Sequence, residues 1–415
     1  MTVDLRDAAT RHDDLLRQRL DEVIPLAMER ADLDVWVIIG REYAEGPVLR
    51  SMLPATWINA RRRTVLVFRR DRSTGAVERQ AVARYDIEGL YPAAWDPESQ
   101  PDQWERIVEV IGAGQPRRIG VDTSDVLAHA DGLSAAEHAA FWSTLPHELR
   151  TRLVSADVAA TTWLETRLPA EVEVMRDACA IGHGFLARAL SSEVITPGAT
   201  TTRDVEWWLR QRVHDAFLGS WFHPTVRLQR NGPSSELFAA HPDDLVIERG
   251  DLVHIDFGVV SERLCTDQQQ HAYVLREGET AAPAGLVSAL AIGNRLQDLL
   301  LAEFAVGRTG NELLRSTLIN ARAEGIEPKV YSHPLGLHGH GAGPAIGMWD
   351  KQDGVGGTGD LPVHPNTCWS IELAVTVEVE GWDEKVMIML EEDVVFDGER
   401  VDWLDGRQTE LYLIG

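Results

Sequence analysis

Cysteine is scarce in this sequence. The 415 residues hold only Cys179, Cys265 and Cys368, an odd number with no CxxC pair, which excludes a disulfide framework and a thiolate zinc site. Small buried thiols in a reducing compartment, the cytoplasm, are expected. Basic residues are in deficit as well: 40 Lys and Arg stand against 65 Asp and Glu, a formal charge of −25. So acidic a chain is a poor partner for nucleic-acid phosphates or anionic membrane surfaces. Long apolar runs are missing too. The best span, LVSALAIGNRLQDLLLAEFAV from Leu286, is interrupted by Arg295 and Asp298, so it reads as an amphipathic helix. The opening MTVDLRDAATRHDDLLRQRL lacks the apolar core of a signal peptide and carries acids that transit peptides avoid. What is present is 44% hydrophobic residues, enough for sizeable cores, over a length that predicts two or three domains.

The first third alternates between strand-like and helical patterns. A helical pattern covers residues 12–31, and LDVWVIIG from Leu33 is a short apolar run, as in a strand buried on both faces. TVLVFRRD from Thr64 and RRIGVDTS from Arg118 read as strands, RSTGAVERQAVAR as turn material, and DQWERIVEVIGAG from Asp102 as an amphipathic helix closed by glycine. This alternation predicts an α/β layer domain. Pro169 suits the start of a long helix, and the boundary is placed near residue 160, giving domains 1–160 and 161–415. Residues 351–360, KQDGVGGTGD, read as a surface or lid loop.

In the second part, acids occupy positions where a core residue is expected. Asp256 lies inside LVHIDFG. A charged carboxylate there is costly unless it is paired or bound to a metal. Asp267 follows eleven residues later, before HAYVL, and two short strands with a turn would return it beside Asp256. Two carboxylates in a poorly hydrated place repel each other, so either one stays protonated or a cation lies between them. Glu372 in CWSIELAV and Glu391 in VMIMLEEDVVF have equally apolar neighbours, although an Arg or Lys could satisfy either one singly. His338 and His340, in GLHGHGAGPAIG, stand among glycines that let the backbone come close to a site. Imidazole is a common metal ligand, and either residue could equally be a plain loop histidine. A dinucleotide-binding reading of these glycines fails, because Pro344 and its neighbours leave no strand–turn–helix. Four carboxylates with an imidazole suit Mn, Co, Fe or Zn.

The order Asp, Asp, His, Glu, Glu resembles the creatinase/aminopeptidase P/prolidase/methionine aminopeptidase superfamily of pita-bread metallopeptidases. HIDFG is similar to the strand carrying the family's first aspartate, GHGAG to its GHGIG turn, SIEL to its T-I-E-P segment and LEEDVV to its I-E-D-D-V strand. The resemblance spans residues 165–415 and implies an α+β pita-bread C-terminal catalytic domain after an α/β N-terminal creatinase-like domain. It implies two divalent ions per chain, manganese first, with Co, Zn or Fe as alternatives. Asp256 would chelate one ion and His340 the other. Asp267 and Glu391 would bridge, and Glu372 would bind the second ion and act as general base. Glu391 is chosen over Glu392 because Val394 then falls three residues on. The implied enzyme is a cytoplasmic, homodimeric Xaa-Pro dipeptidase or aminopeptidase that hydrolyses small peptides, with neither nucleic acid nor membrane as partner.

Four departures bear on the substrate. The family usually has a second histidine seven positions after the ligand histidine, touching the substrate carbonyl. Counted from His340 that position is Gly347, with Trp349 and Asp350 just beyond. Losing such an oxyanion donor costs about 100–1,000-fold in rate. Leu373 replaces a proline, and Gln269 replaces a threonine. A further family histidine, upstream of the first aspartate, would be His241 in FAAHPDD, about two residues closer to Asp256 than the family has it; it is taken as catalytic, with a plain loop histidine as the other reading and His223 as the weaker alternative. These changes open a second reading, a metal-dependent hydrolase or lyase of a small non-peptide molecule on the same fold. A third, a non-catalytic binding protein, sits badly with the retained acids.

Overall fold

The computed structural model describes residues 4–231 and 244–415, and the chain divides into two units, one ending at Thr166 and the other beginning at Arg167. In the first unit, Asp4 caps a helix, Leu5–Arg30, by accepting from the backbone of Arg6 and Asp7. Its stripe of Leu16, Leu20, Val23, Ile24, Ala27 and Met28 is buried. The sheet has five strands: β1 (Val35–Arg41), β2 (Arg63–Arg70), β3 (Val77–Ala83), β4 (Ile119–Val121) and β5 (Leu153–Ser155). They lie in the order β3-β2-β1-β4-β5, antiparallel from β3 to β1 and parallel from β1 to β5. Central β1 is buried through Gly40, which explains its unbroken apolar run. The segment expected to be turn material turns only over Asp71–Ala76. The rest of it is β3, paired along its length with β2. Glu78, Arg79 and Gln80 give β3 the polar face of an edge strand, and that hid it in the sequence.

The second unit contains β6 (Thr225–Gln229), β7 (Leu252–Phe257), β8 (Val260–Ser261), β9 (Leu264–Cys265), β10 (Gln268–Val274), β11 (Pro328–Val330) and β12 (His333–Leu335). It continues with β13 (Thr367–Ser370), β14 (Leu373–Val377), β15 (Val386–Leu390), β16 (Asp393–Phe396), β17 (Val401–Trp403) and β18 (Tyr412–Ile414). One sheet runs β18-β10-β7-β6, another β11-β14-β15 and a third β12-β13-β16-β17. Two helix pairs cover these sheets. Pro169–Ala189 and Thr202–Asp215 pack on Val226, Leu228, Val253, Ile255, Phe257 and Ala272. Ala284–Leu301 and Gly310–Ala323 pack on Leu373, Val375, Ile388 and Leu390. Because side chains alternate across a strand, the residues between these core positions face the other way. No helix among the described residues is long and apolar enough to cross a membrane. Residues 351–360 are a pinned surface loop rather than a lid. Gln352 exchanges hydrogen bonds with the Val330 backbone at 3.0 and 2.8 Å, and Asn311 does so with Val355 at 2.9 and 2.8 Å.

Candidate metal centre

The face of β7 opposite its core residues carries His254 and Asp256. Antiparallel β10 sets His271 and Gln269 beside them in register, and β6 adds Arg227 and Thr225. Asp267 precedes Gln269 by two residues and so shares its face. The other two acids come from a paired break. The chain leaves β13 for β14 at Ile371–Glu372, and leaves β15 for β16 at Glu391–Glu392. Ser370 pairs with Asp393 and Leu373 with Leu390, so the two breaks face each other. The Ile371 amide donates to the Glu392 carbonyl at 3.0 Å, and the Gln269 amide donates to the Glu391 carbonyl at 2.8 Å. Glu372 and Glu391 therefore sit where two strands change sheets, not within strands as the sequence suggested. Glu392 points to the opposite side, where it meets His183 Nε2 at 2.6 Å and Gln270 Nε2 at 2.8 Å. Burial disfavours the charged form of His183, but Glu392 and Asp405 hold its pKa up to about 9.

The imidazole among the carboxylates is His333, not His340. Its Nε2 lies 3.6 Å from Glu391 Oε1, 3.8 Å from Asp267 Oδ2 and 3.9 Å from Glu372 Oε2. One ligand atom each of Asp267, His333 and Glu391 lie within 4.8 Å of one another. His333 Nδ1 faces the Pro334 carbonyl at 3.0 Å and must donate there, so in the neutral ring Nε2 is the lone pair that turns to the carboxylates. His340 stands outside this group as an exposed residue. Its ring is perpendicular to His333 at 4.7 Å and edge-on to Trp221 at 5.3 Å. Gly339 permits this approach, since a Cβ there would lie 2.3 Å from the Trp221 ring. Gly347 has φ +79°, and a Cβ on it would lie 2.2 Å from the Val330 carbonyl. No side chain fits at Gly347 without displacing its neighbours, and it is His333 rather than His340 that the fold sets among the carboxylates. The usable signal was the seven-residue spacing itself, which His333 and His340 satisfy.

The electrostatics are those of acids held without neutralisation. Burial raises the Asp256 carboxyl well above its ordinary value, and Glu391 adds to the effect while Arg227 opposes it. Asp267 is raised by burial and then by Glu391, Asp256, Glu372 and Asp393. Glu372 is raised by burial, Glu391 and Asp256, against a hydrogen bond from Gln269. Asp256 Oδ1, Asp267 Oδ1 and His333 Nε2 are buried and have no hydrogen-bond partner among the described residues. Such a donor set of carboxylate oxygens and one imidazole lone pair fits a divalent cation. Behind it, Asp393 accepts from the Asp267 amide at 3.1 Å and from the Cys179 thiol at 3.2 Å. Burial pushes the Cys179 thiol well up and those of Cys265 and Cys368 to about 12, so none is poised as a nucleophile.

Two site neighbours carried no sequence signal. The Tyr331 hydroxyl is buried without a hydrogen-bond partner among the described residues, and burial, then Glu372, Glu391 and Asp256, raises its pKa. Trp349 packs edge-on against the Tyr331 ring at 5.2 Å, beneath the Lys329 ammonium at 3.7 Å. His223 packs edge-on against Trp207 and lies 3.6 Å from Glu206. His241 falls outside the described residues.

The family described as metallopeptidase family M24 matches residues 173–397, a little over half of the chain. No curated protein matches significantly. Among solved structures, an X-Pro aminopeptidase from Thermotoga maritima is 18% identical with a TM-score of 0.64, over 93% of this chain and 99% of that one. An Xaa-Pro dipeptidase from Bacillus anthracis is 16% identical with a TM-score of 0.62, over 98% and 99%. The N-terminal domain of the FACT complex subunit SPT16 from chickpea is 10% identical with a TM-score of 0.58, over 100% of both. At these identities the likeness concerns the fold alone.

Proposed function

The chain belongs to metallopeptidase family M24 and has its pita-bread fold, and on that premise we propose that it is a dinuclear peptidase cleaving next to the N-terminus, with Xaa-Pro peptides as the substrates to test first. The observation that supports this most is the approach of three carboxylates to the bare Nε2 of His333. Asp256, Asp267, His333, Glu372 and Glu391 would hold two divalent ions, manganese foremost, with Asp267 and Glu391 shared. When bound, such ions supply Lewis acidity that activates water and polarises an amide carbonyl. Glu372 then takes the proton of the attacking water and delivers it to the leaving nitrogen. His340, exposed and seven residues after His333, is suited to donate to the carbonyl oxygen as charge develops there. The Asp256 strand and the break carrying Glu372 and Glu391 are tied by backbone pairing through β10, which keeps the acids in place during the reaction.

The non-peptide reading was motivated by Gly347. With His333 as the ligand histidine, the seventh position is His340 and that motive goes. The Xaa-Pro preference draws on the two enzymes of similar fold named above and is the part most open to test. Chain loaded with Mn or Co is expected to cleave Xaa-Pro dipeptides or longer peptides with proline in second position. The proposal fails if the metal-loaded chain leaves a panel of both uncleaved.

A further inference from the structure

Gln269 makes three contacts from one buried carboxamide. Its Nε2 lies 2.7 Å from Glu372 Oε1 and 2.5 Å from Glu391 Oε2, and its Oε1 lies 2.9 Å from His254 Nε2. As metal ligands the two glutamates are ionised and their oxygens can only accept, so the end that meets them is the NH2 group, one hydrogen to each glutamate. The other end is then the carbonyl, and His254 must carry its hydrogen on Nε2. A flipped amide would set a carbonyl oxygen against two carboxylates and an N–H against an N–H. His254 is 1% exposed and Gln269 3%, so water cannot relieve either mistake.

The same geometry divides the glutamate oxygens. Gln269 takes Oε1 of Glu372 and Oε2 of Glu391. Their other oxygens, Oε2 and Oε1, face His333 Nε2, and Glu391 Oε1 also accepts from the Ser370 hydroxyl. The Gln269 backbone also bonds that of Glu391, so its main chain and side chain fix the same residue. We propose that Gln269, its NH2 group aimed at the two glutamates and its carbonyl end held by His254, is a positioning residue that presents Glu372 and Glu391 together to a metal ion. A threonine, which the family has at this position, offers one hydroxyl hydrogen on a shorter side chain. It could serve one glutamate and could not be read by His254.

This inference rests on the metal-centre reading above, and its test needs no peptide. Wild type, Gln269→Leu, Gln269→Glu, His254→Phe and the double variant Gln269→Leu/His254→Phe are titrated with Co(II) by calorimetry and visible spectroscopy. Far-UV circular dichroism checks each fold, and the near-isosteric Gln269→Glu covers a failure of the leucine variant. Loss of such an outer-shell partner is expected to weaken metal binding about 10–100-fold, with a shifted Co(II) spectrum and, on an active substrate, a fall in kcat larger than the rise in KM. His254→Phe is expected to act in the same direction but more weakly, and to add nothing in the Gln269→Leu background, because it works through Gln269. Wild-type affinity and spectrum in both Gln269 variants overturn the inference, as do additive effects of the two substitutions. A wild-type chain that binds no Co(II) overturns this inference and the metal-centre reading together. A clear effect on metal binding in a chain that cleaves no peptide supports the inference and overturns only the peptidase assignment.

Discussion

The two units both bury acids, but they give them different company. In the first, Asp34 receives the Arg72 guanidinium and the backbone N–H of Arg117 and Arg118 at 2.6 and 3.2 Å. Glu137 is held by two nitrogens of Arg63 at 2.6 and 3.3 Å, and Glu165 faces Arg30 at 3.5 Å. In the second, Asp251 follows the same rule with Arg230 at 2.7 Å. Asp256, Asp267, Glu372 and Glu391 break it, facing one another and an imidazole lone pair. A buried acid with a cation is part of the fold. Several acids crowded together, with Arg227 opposing burial only at Asp256, impose a cost on folding that a bound cation would offset, and such a cost is what a functional site carries.

Asp267→Ala should have the largest effect. If Asp267 is shared by both ions, the variant loses them together, and activity falls about a thousandfold or more as the activated water is lost. Metal analysis that still finds two ions per chain would sink the ligand assignment. The same substitution should raise the melting temperature of metal-free protein, because it removes one member of a mutually repelling group. The folded-state pKa of Asp267 lies above its unfolded value, so the folded cluster binds more protons than the unfolded chain. The stability of the metal-free protein should therefore fall as pH rises through the cluster's pKa values, and the variant should flatten that fall. Bound metal, which needs deprotonated ligands, should reverse the trend.

The acids of this site were legible in the sequence because an aspartate inside LVHIDFG contradicts its neighbours. The histidine was not, because a glycine-rich loop has no periodicity to say which of His333, His338 and His340 turns inward. That is decided by the pairing of β12 with β13, which sets His333 opposite Ser370, beside the break. Gln269 was visible only as an oddity in DQQQ. Its role depends on Glu391, 122 positions away. The central strand β1 announced itself by burial on both faces, whereas edge strand β3 did not, since half of its side chains meet water.

Asp122 sharpens the comparison from within the first unit. It is buried, its carboxyl accepts from the Trp36 indole N–H at 2.8 Å, and burial raises its pKa to about 7. Like the cluster, it should cost stability as pH rises from its unfolded value near 4 to 7, by at most about 4 kcal/mol. Asp122→Asn keeps an acceptor for the indole and removes the charge. Its melting temperature should match wild type at pH 4 and exceed it increasingly up to pH 8. An unchanged difference across that range would mean that Asp122 has a cationic partner after all.

Asp34 should show the smallest effect and the opposite sign. Burial alone would raise its pKa, but the Arg72 guanidinium and the Arg117 and Arg118 amides outweigh burial and hold the group below the ordinary range. A depressed folded-state pKa means that the ionised form stabilises the fold above the unfolded value, and that this contribution disappears as pH falls through the folded one. Asp34→Asn retains two of the geometric contacts but loses the charge. Since Arg72 is partly solvated, the loss should be only about 1 kcal/mol at pH 7. Denaturant unfolding should find that deficit at neutral pH and none in strong acid. A deficit that persists in acid would point to packing rather than charge at Asp34. The separation of the two units would then rest on shape and not on how each neutralises its acids.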